Sequence, residues 1–168
     1  IRGPGAQSVE APSGSVGLAA GWPGVEGVDL LSDGEVALAG VGLVHQGSLE
    51  ALRVECGVPA MGAELTDATI PAEAGRWLIE ASVSFTKGCY TGQELVARID
   101  SRGGNVPRPI RGLLVAGETV APGATVHSGA DEVGVVTSAA HSATLGAVAL
   151  APLARSVAPE AEVELRGR

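Results

Sequence analysis

The stretch Val106-Pro107-Arg108-Pro109 most restricts how this chain can fold. Two closely spaced prolines fix φ and remove amide donors, so no helix continues through them, and the residues before them are pushed out of the helical region. They mark a domain limit, giving 1–106 and 107–168. Beyond Pro109 the texture becomes short apolar runs: Arg111 to Val115, Thr125 to His127, Glu132 to Ala139, Thr144 to Leu150 and Ala161 to Leu165. Gly117, Pro122-Gly123, Gly129-Ala130-Asp131 and His141-Ser142 separate them. Such spacing predicts a small antiparallel barrel or sandwich. At 168 residues the chain can bury a core, but aromatic residues make up only 2% of it. The core must therefore be built from Val, Leu, Ala and Ile, with Trp22, Trp77, Phe85 and Tyr90 as the only large rings.

Before the prolines the patterns are mixed, so the whole reads as α+β. Short strands are predicted at Val16 to Ala20 and Val25 to Leu31. Ser32-Asp33-Gly34-Glu35 has capping-box spacing and opens a predicted helix over Glu35 to Val44. A second helix is predicted from Ser48 to Cys56, stopped by Gly57 and Pro59. Its apolar face would be Leu49, Leu52 and Cys56, with Glu55 on the edge and Arg53 or Arg76 as its ordinary partner. Met61 to Gly75 reads as an irregular connection, and Arg76 to Thr86 as a segment ending in a strand.

That strand would lead into the most polar stretch of the chain, Lys87-Gly88-Cys89-Tyr90-Thr91-Gly92-Gln93-Glu94, continued by Leu95-Val96-Ala97-Arg98. Thr91 and Glu94 have capping-box spacing, which predicts a helix from Thr91 to Ser101. Leu95 and Ile99 would face the core, and Glu94 and Arg98 would pair on a flank. Cys89 would then sit just ahead of a helix N-terminus, with Lys87 nearby. That surrounding predicts a lowered thiol pKa and a reactive thiolate. The same spacing also fits a tight, glycine-bearing turn with a buried cysteine and a surface ion pair.

The stretch Lys87 to Arg98 resembles the signature Lys-Gly-Cys-Tyr/Phe-x-Gly-Gln-Glu-x-x-x-Arg of the YgfZ family. Those folate-binding proteins are related to the glycine-cleavage T-protein, an aminomethyltransferase, and are implicated in iron–sulfur cluster assembly or repair. Leu52-Arg53-Val54-Glu55-Cys56-Gly57-Val58-Pro59 resembles a second segment of that superfamily. The resemblance covers Leu49 to Leu150. It implies a GcvT-like folate-binding α+β domain, present in part, followed by a small antiparallel β-barrel.

It further implies tetrahydrofolate as cofactor, with Glu55 accepting hydrogen bonds from the pterin. Arg53, Lys87, Tyr90, Gln93, Glu94 and Arg98 would complete the binding surface, and Cys89 would be the reactive group. Iron–sulfur proteins or their assembly factors would be the partners, with a folate-dependent aminomethyltransferase-like reaction as the alternative. The superfamily's folate-binding portion is larger than the part before Pro107, so a further N-terminal part is expected. An aspartate that the aminomethyltransferases use has no counterpart here.

A formal net charge of −8 argues against nonspecific DNA or RNA binding, which needs a basic face. The few rings argue against single-strand binding. Cys56 and Cys89 have no metal-ligand spacing and fit reduced thiols in a cytoplasmic protein. Cys56 reads as a small buried hydrophobe. His45, predicted at a helix end, and His127 and His141, predicted at strand ends, are assigned no metal. The longest apolar run, Val36 to Val44, is far too short to span a bilayer.

Overall fold

The computed structural model describes residues 1–117 and 120–167. Their contacts divide the chain into two compact units, Ile1–Leu49 and Glu50–Arg168.

In the first unit, β1 (Ser15–Ala19) and β2 (Val28–Ser32) form an antiparallel pair in register from Ser15↔Ser32 to Ala19↔Val28. A short turn closes the connection, with Trp22 and Val25 exchanging N–H···O bonds of 2.9 Å. The Arg2 guanidinium lies 4.6 Å from the Trp22 ring centroid and pairs with Asp29 at 2.8 Å. Both predicted strands are present, the second displaced toward Ser32.

The helix expected over Glu35 to Val44 does not form: those residues carry neither helix nor strand. Gly40 and Gly42 each cost a helix about 1 kcal/mol relative to alanine, and Gly40 takes a left-handed φ of 76°. The Ser32 hydroxyl accepts the N–H of Gly34 in a local turn instead of capping a helix. Leu43 and Val44 are consequently exposed.

Helix α1 (Gln46–Glu55) is close to its predicted span, and the His45 ring precedes it, its Nδ1 accepting the N–H of Gly47 at 3.1 Å. Its buried face differs from the expected one. Ala51, Arg53 and Val54 are buried, whereas Leu49 is exposed and Leu52 and Cys56 are only half-buried. Small apolar groups let the helix lie close to the sheet, where Val54 packs on Val148 and Leu150.

A 3-10 turn (Pro71–Ala74) precedes α2 (Arg76–Ser82). The strand expected to follow is absent. Val83 is extended at φ −106°, but residues 83–92 form turn and coil, because no neighbouring strand offers them a ladder. The Lys87 N–H donates to the Ser84 hydroxyl at 3.1 Å. Then comes α3 (Gln93–Ser101).

Pro107 and Pro109 form the entry to the strands, their carbonyls accepting the N–H groups of Arg155 and Leu153. Six strands follow: β3 (Ile110–Leu114), β4 (Thr125–Ser128), β5 (Asp131–Val135), β6 (Ser138–Ser142), β7 (Gly146–Pro152) and β8 (Glu164–Arg166). They make two three-stranded antiparallel sheets, β3-β7-β6 and β5-β4-β8. The run Glu132 to Ala139 is thus two strands joined by a bend. There Val136 donates to the Ala124 carbonyl, and Thr137 donates to that of Leu150, each at 2.8 Å. Gly134 bridges to Leu153.

Of the expected small antiparallel barrel or sandwich, the described residues show the antiparallel sheets without a closed ring: β3 and β6 are the edges of one sheet, β5 and β8 those of the other. Strand β7 is buried along both faces. Val148 and Leu150 join the cluster under α1, while Ala149 and Ala151 join Val126, Val136 and Leu153 on the other side. Alternation of side chains along a strand produces this double use. The observed architecture is mixed helix and antiparallel sheet.

Candidate functional site

The loop that carries Cys89 is held at both ends by its own residues. At its start the Ser84 hydroxyl accepts the Lys87 N–H. At its end the Gln93 carboxamide oxygen accepts the Tyr90 N–H at 3.2 Å. Across it the Lys87 ammonium stands 4.7 Å from the Tyr90 ring centroid. Cys89 is a free thiol on the exposed part of this clasp. The buried cysteine of the simple-turn reading is therefore excluded.

The helix start differs from the capping-box expectation. Gly92 is the N-cap, at φ 87°, and Gln93 is the first helical residue, with no side-chain cap. A left-handed conformation suits glycine and lets the chain turn sharply into α3. Cys89 thus precedes the helix by four positions rather than two. The influence of a helix dipole falls off within its first turn, so the polar neighbours of the loop are Lys87, Tyr90 and Gln93 rather than the helix end.

Along α3, Glu94 and Arg98 are both exposed and make no ion pair with each other among the described residues, against the expected flank pairing. Both line an open depression together with Tyr90, Gly92, Gln93 and Leu95. Leu95 and Ile99 do not enter a sealed core, since α3 has no fully buried residue. They border a groove of about 290 Å³ whose other wall includes Ile70 and Ile79, with Arg76 and Asp100 also lining it.

Arg53 and Glu55, neighbours in the second matched segment, part company on α1. Glu55 is exposed and lacks an ion-pair partner among the described residues. The partners expected for it are engaged elsewhere: Arg76 with Glu80 at 2.6 Å, Arg53 with Glu50 and Glu64. Arg53 is buried, and each of its three nitrogens donates within the chain. All of its donors are therefore satisfied within the chain. Cys56 is half-buried, and its thiol is pushed up by burial and, secondarily, by the charge of Glu55.

The structure thus brings Lys87, Cys89, Tyr90 and Gln93 into one clasp and sets Glu94 and Arg98 on the same depression. It forms no hydrogen bond or ion pair between these residues and Arg53 or Glu55 among the described residues. Sequence reasoning missed Glu64 and Ser138, which lie 74 positions apart and meet in a buried network. Neither stands in a recognisable motif, so no local signal marked them. Among the described residues no three of His, Cys, Asp and Glu are grouped to hold a metal ion, and no helix is long and apolar enough to cross a membrane.

No family model matches the chain. It is similar to an aminomethyltransferase of Nostoc sp., with 35% identity over 162 residues that cover 88% of this chain and 42% of the relative. It is also similar to a tRNA-modifying protein YgfZ of Photorhabdus laumondii, 44% identical over 55 residues, covering 33% of this chain and 17% of that protein. A putative chloroplast transferase of Arabidopsis thaliana is 34% identical over 109 residues, covering 65% of this chain and 23% of that one. The chain spans less than half the length of these curated relatives. A mixed helix and antiparallel-sheet chain with an exposed thiol loop ahead of a short helix is the class that fold and site define. In sequence the chain is similar to proteins of the YgfZ/GcvT-like family.

Proposed function

We propose that this chain is the tetrahydrofolate-binding part of an accessory protein for iron–sulfur cluster assembly or repair, with Cys89 as its reactive group. The observation that carries the reading is the exposed Cys89 thiol inside the Lys87–Tyr90 clasp, in the stretch that matches the YgfZ signature to Arg98. The residues fit the cofactor. Glu55 keeps an exposed carboxylate without an ion-pair partner, able to accept two parallel N–H donors from a pterin. Tyr90 offers a half-buried ring, and Gln93, Glu94 and Arg98 supply polar groups on the depression beside it.

In this reading the GcvT-like folate portion continues beyond the present chain, and the six strands are the counterpart of the family's barrel. The partners are iron–sulfur proteins or their assembly factors in the cytoplasm. Two relatives carry the name tRNA-modifying, so an iron–sulfur enzyme that modifies tRNA is the first client to assay. Titration of the full-length protein with tetrahydrofolate should give saturable binding. Deleting the gene should lower iron–sulfur enzyme activities, restored by wild type and not by Cys89→Ala. Undiminished activities in the deletion strain would overturn the accessory role.

The second reading is a folate-dependent, aminomethyltransferase-like one-carbon transferase, favoured by the long alignment with the Nostoc protein. It requires turnover of an aminomethyl donor with tetrahydrofolate as acceptor. Turnover that Cys89→Ser slows, with no effect of the deletion on iron–sulfur enzymes, would select it.

A further inference from the structure

Among the described residues Glu64 is the most buried charged one, and its side chain is fully shielded from solvent. Its Oε2 accepts the Ala60 N–H at 2.9 Å and an Arg53 guanidinium N–H at 3.3 Å. Its Oε1 accepts the hydroxyl of Ser138 at 2.6 Å. The same hydroxyl oxygen accepts a second Arg53 N–H at 2.7 Å. The remaining Arg53 donors go to Glu50 and to the Val58 carbonyl. Arg53 belongs to α1 and Ser138 to β6, so the network fastens the helix to the sheet.

The helix needs such a fastening. Its only buried apolar side chains are Ala51 and Val54, which are too small to resist rotation about the helix axis. A guanidinium is planar and presents its donors in a fixed fork, so a site that uses all of them permits one orientation. Glu55 follows Arg53 by two positions, about 200° further round the helix. An inward Arg53 therefore aims Glu55 outward, where it is exposed.

We propose that Arg53, Glu64 and Ser138 are positioning residues for Glu55: through the buried network on β6 they fix the roll of α1 and present the Glu55 carboxylate to the pterin. This rests on the reading of Glu55 given above. It makes the C-terminal sheet part of the folate site without any of the three residues touching the ligand. Ser138 must be both acceptor and donor, which a threonine hydroxyl can reproduce and an alanine cannot.

The test is anaerobic titration of the full-length protein with tetrahydrofolate for wild type, Ser138→Ala, Ser138→Thr, Glu55→Gln and Val126→Ala. Val126 lies in the other core cluster, so its variant controls for loss of stability alone. Ser138→Ala is expected to weaken binding about tenfold, equivalent to ~1.4 kcal/mol. Ser138→Thr should return affinity to near wild type, and Val126→Ala should bind normally though it melts earlier. Should Ser138→Ala fail to fold, Ser138→Cys, a weaker donor of similar size, should give an intermediate loss. Normal binding by the folded serine variants beside a loss in Glu55→Gln overturns the positioning role and leaves the pterin reading standing. Equal losses in Val126→Ala and Ser138→Ala also overturn it. Normal binding by Glu55→Gln overturns the pterin reading and this inference with it.

Discussion

The ammonium of Lys87 stands 4.7 Å from the centre of the Tyr90 ring, closing the chain on itself around Cys89. An exposed cation–π contact contributes roughly 0.5–1 kcal/mol, so the clasp is held but readily opened. Tyr90→Leu should raise the rate of tryptic cleavage after Lys87 about two- to fivefold, the factor that energy corresponds to when cleavage tracks the open population. Tyr90→Phe retains the ring and should cleave at the wild-type rate. A time course resolved by mass spectrometry reads both, and equal rates for the two variants would show that the ring holds nothing.

The two thiols should separate by reactivity. Cys89 is exposed, whereas Cys56 is half-buried, with its thiol pushed up by burial and by Glu55. Its thiolate therefore appears only above the ordinary value of about 8.5. Limited iodoacetamide at neutral pH should label the Cys89 peptide first, because that thiol is exposed, and labelling of Cys56 should increase as pH is raised. Preferential labelling of Cys56 at pH 7 would contradict this arrangement.

Acid should loosen the fold through the α1 network. Burial alone raises the Glu64 carboxyl, but the Ser138 hydroxyl, the Ala60 N–H and the Arg53 charge outweigh it and hold the group below the usual range. The Arg53 hydrogen bond does the same for Glu50, against a smaller opposing effect of burial. Both folded values lie below the unfolded value of about 4.3, so their stabilisation is complete above that pH and disappears as pH falls through the folded values. Urea midpoints should be level above pH ~5 and fall below ~4. Glu64→Gln should flatten that fall while lowering stability at pH 7 by about 3 kcal/mol. That is the low end for breaking a buried pair, because Glu50 still partners Arg53. An unchanged acid profile in that variant would remove Glu64 from the account.

Gly134 lies where β5 bridges to Leu153, just beyond β7. A Cβ there would lie 2.5 Å from the Pro152 carbonyl oxygen and 2.7 Å from Leu153 Cδ2. Gly134→Ala should therefore cost about 1–3 kcal/mol by overpacking, read as a lower urea midpoint with unchanged m. Leu150→Ala, at the fully buried centre of β7, should cost about 2–5 kcal/mol through the cavity it leaves. A Gly134→Ala midpoint equal to wild type would mean that this contact relaxes freely.

What the residues alone dictated is local in origin. The proline pair and the spaced apolar runs specified where strands lie, because strand positions follow from turn chemistry and side-chain alternation within a few residues. The Lys87–Arg98 stretch singled out Cys89 as the candidate reactive group, since its residues are contiguous, and the fold leaves that thiol exposed. Tertiary structure decided the rest. Whether six strands close into a ring depends on pairing between distant edges, and the bend at Val136 and Thr137 is set by Ala124, just ahead of β4, and by Leu150 on β7. The helix expected at Glu35 to Val44 had a start signal, but Gly40 takes a left-handed φ within it and the Ser32 hydroxyl closes a local turn instead. The buried partners of Arg53 were not legible in the sequence because Glu64 and Ser138 reach it only in the folded chain, where a buried guanidinium must satisfy its donors.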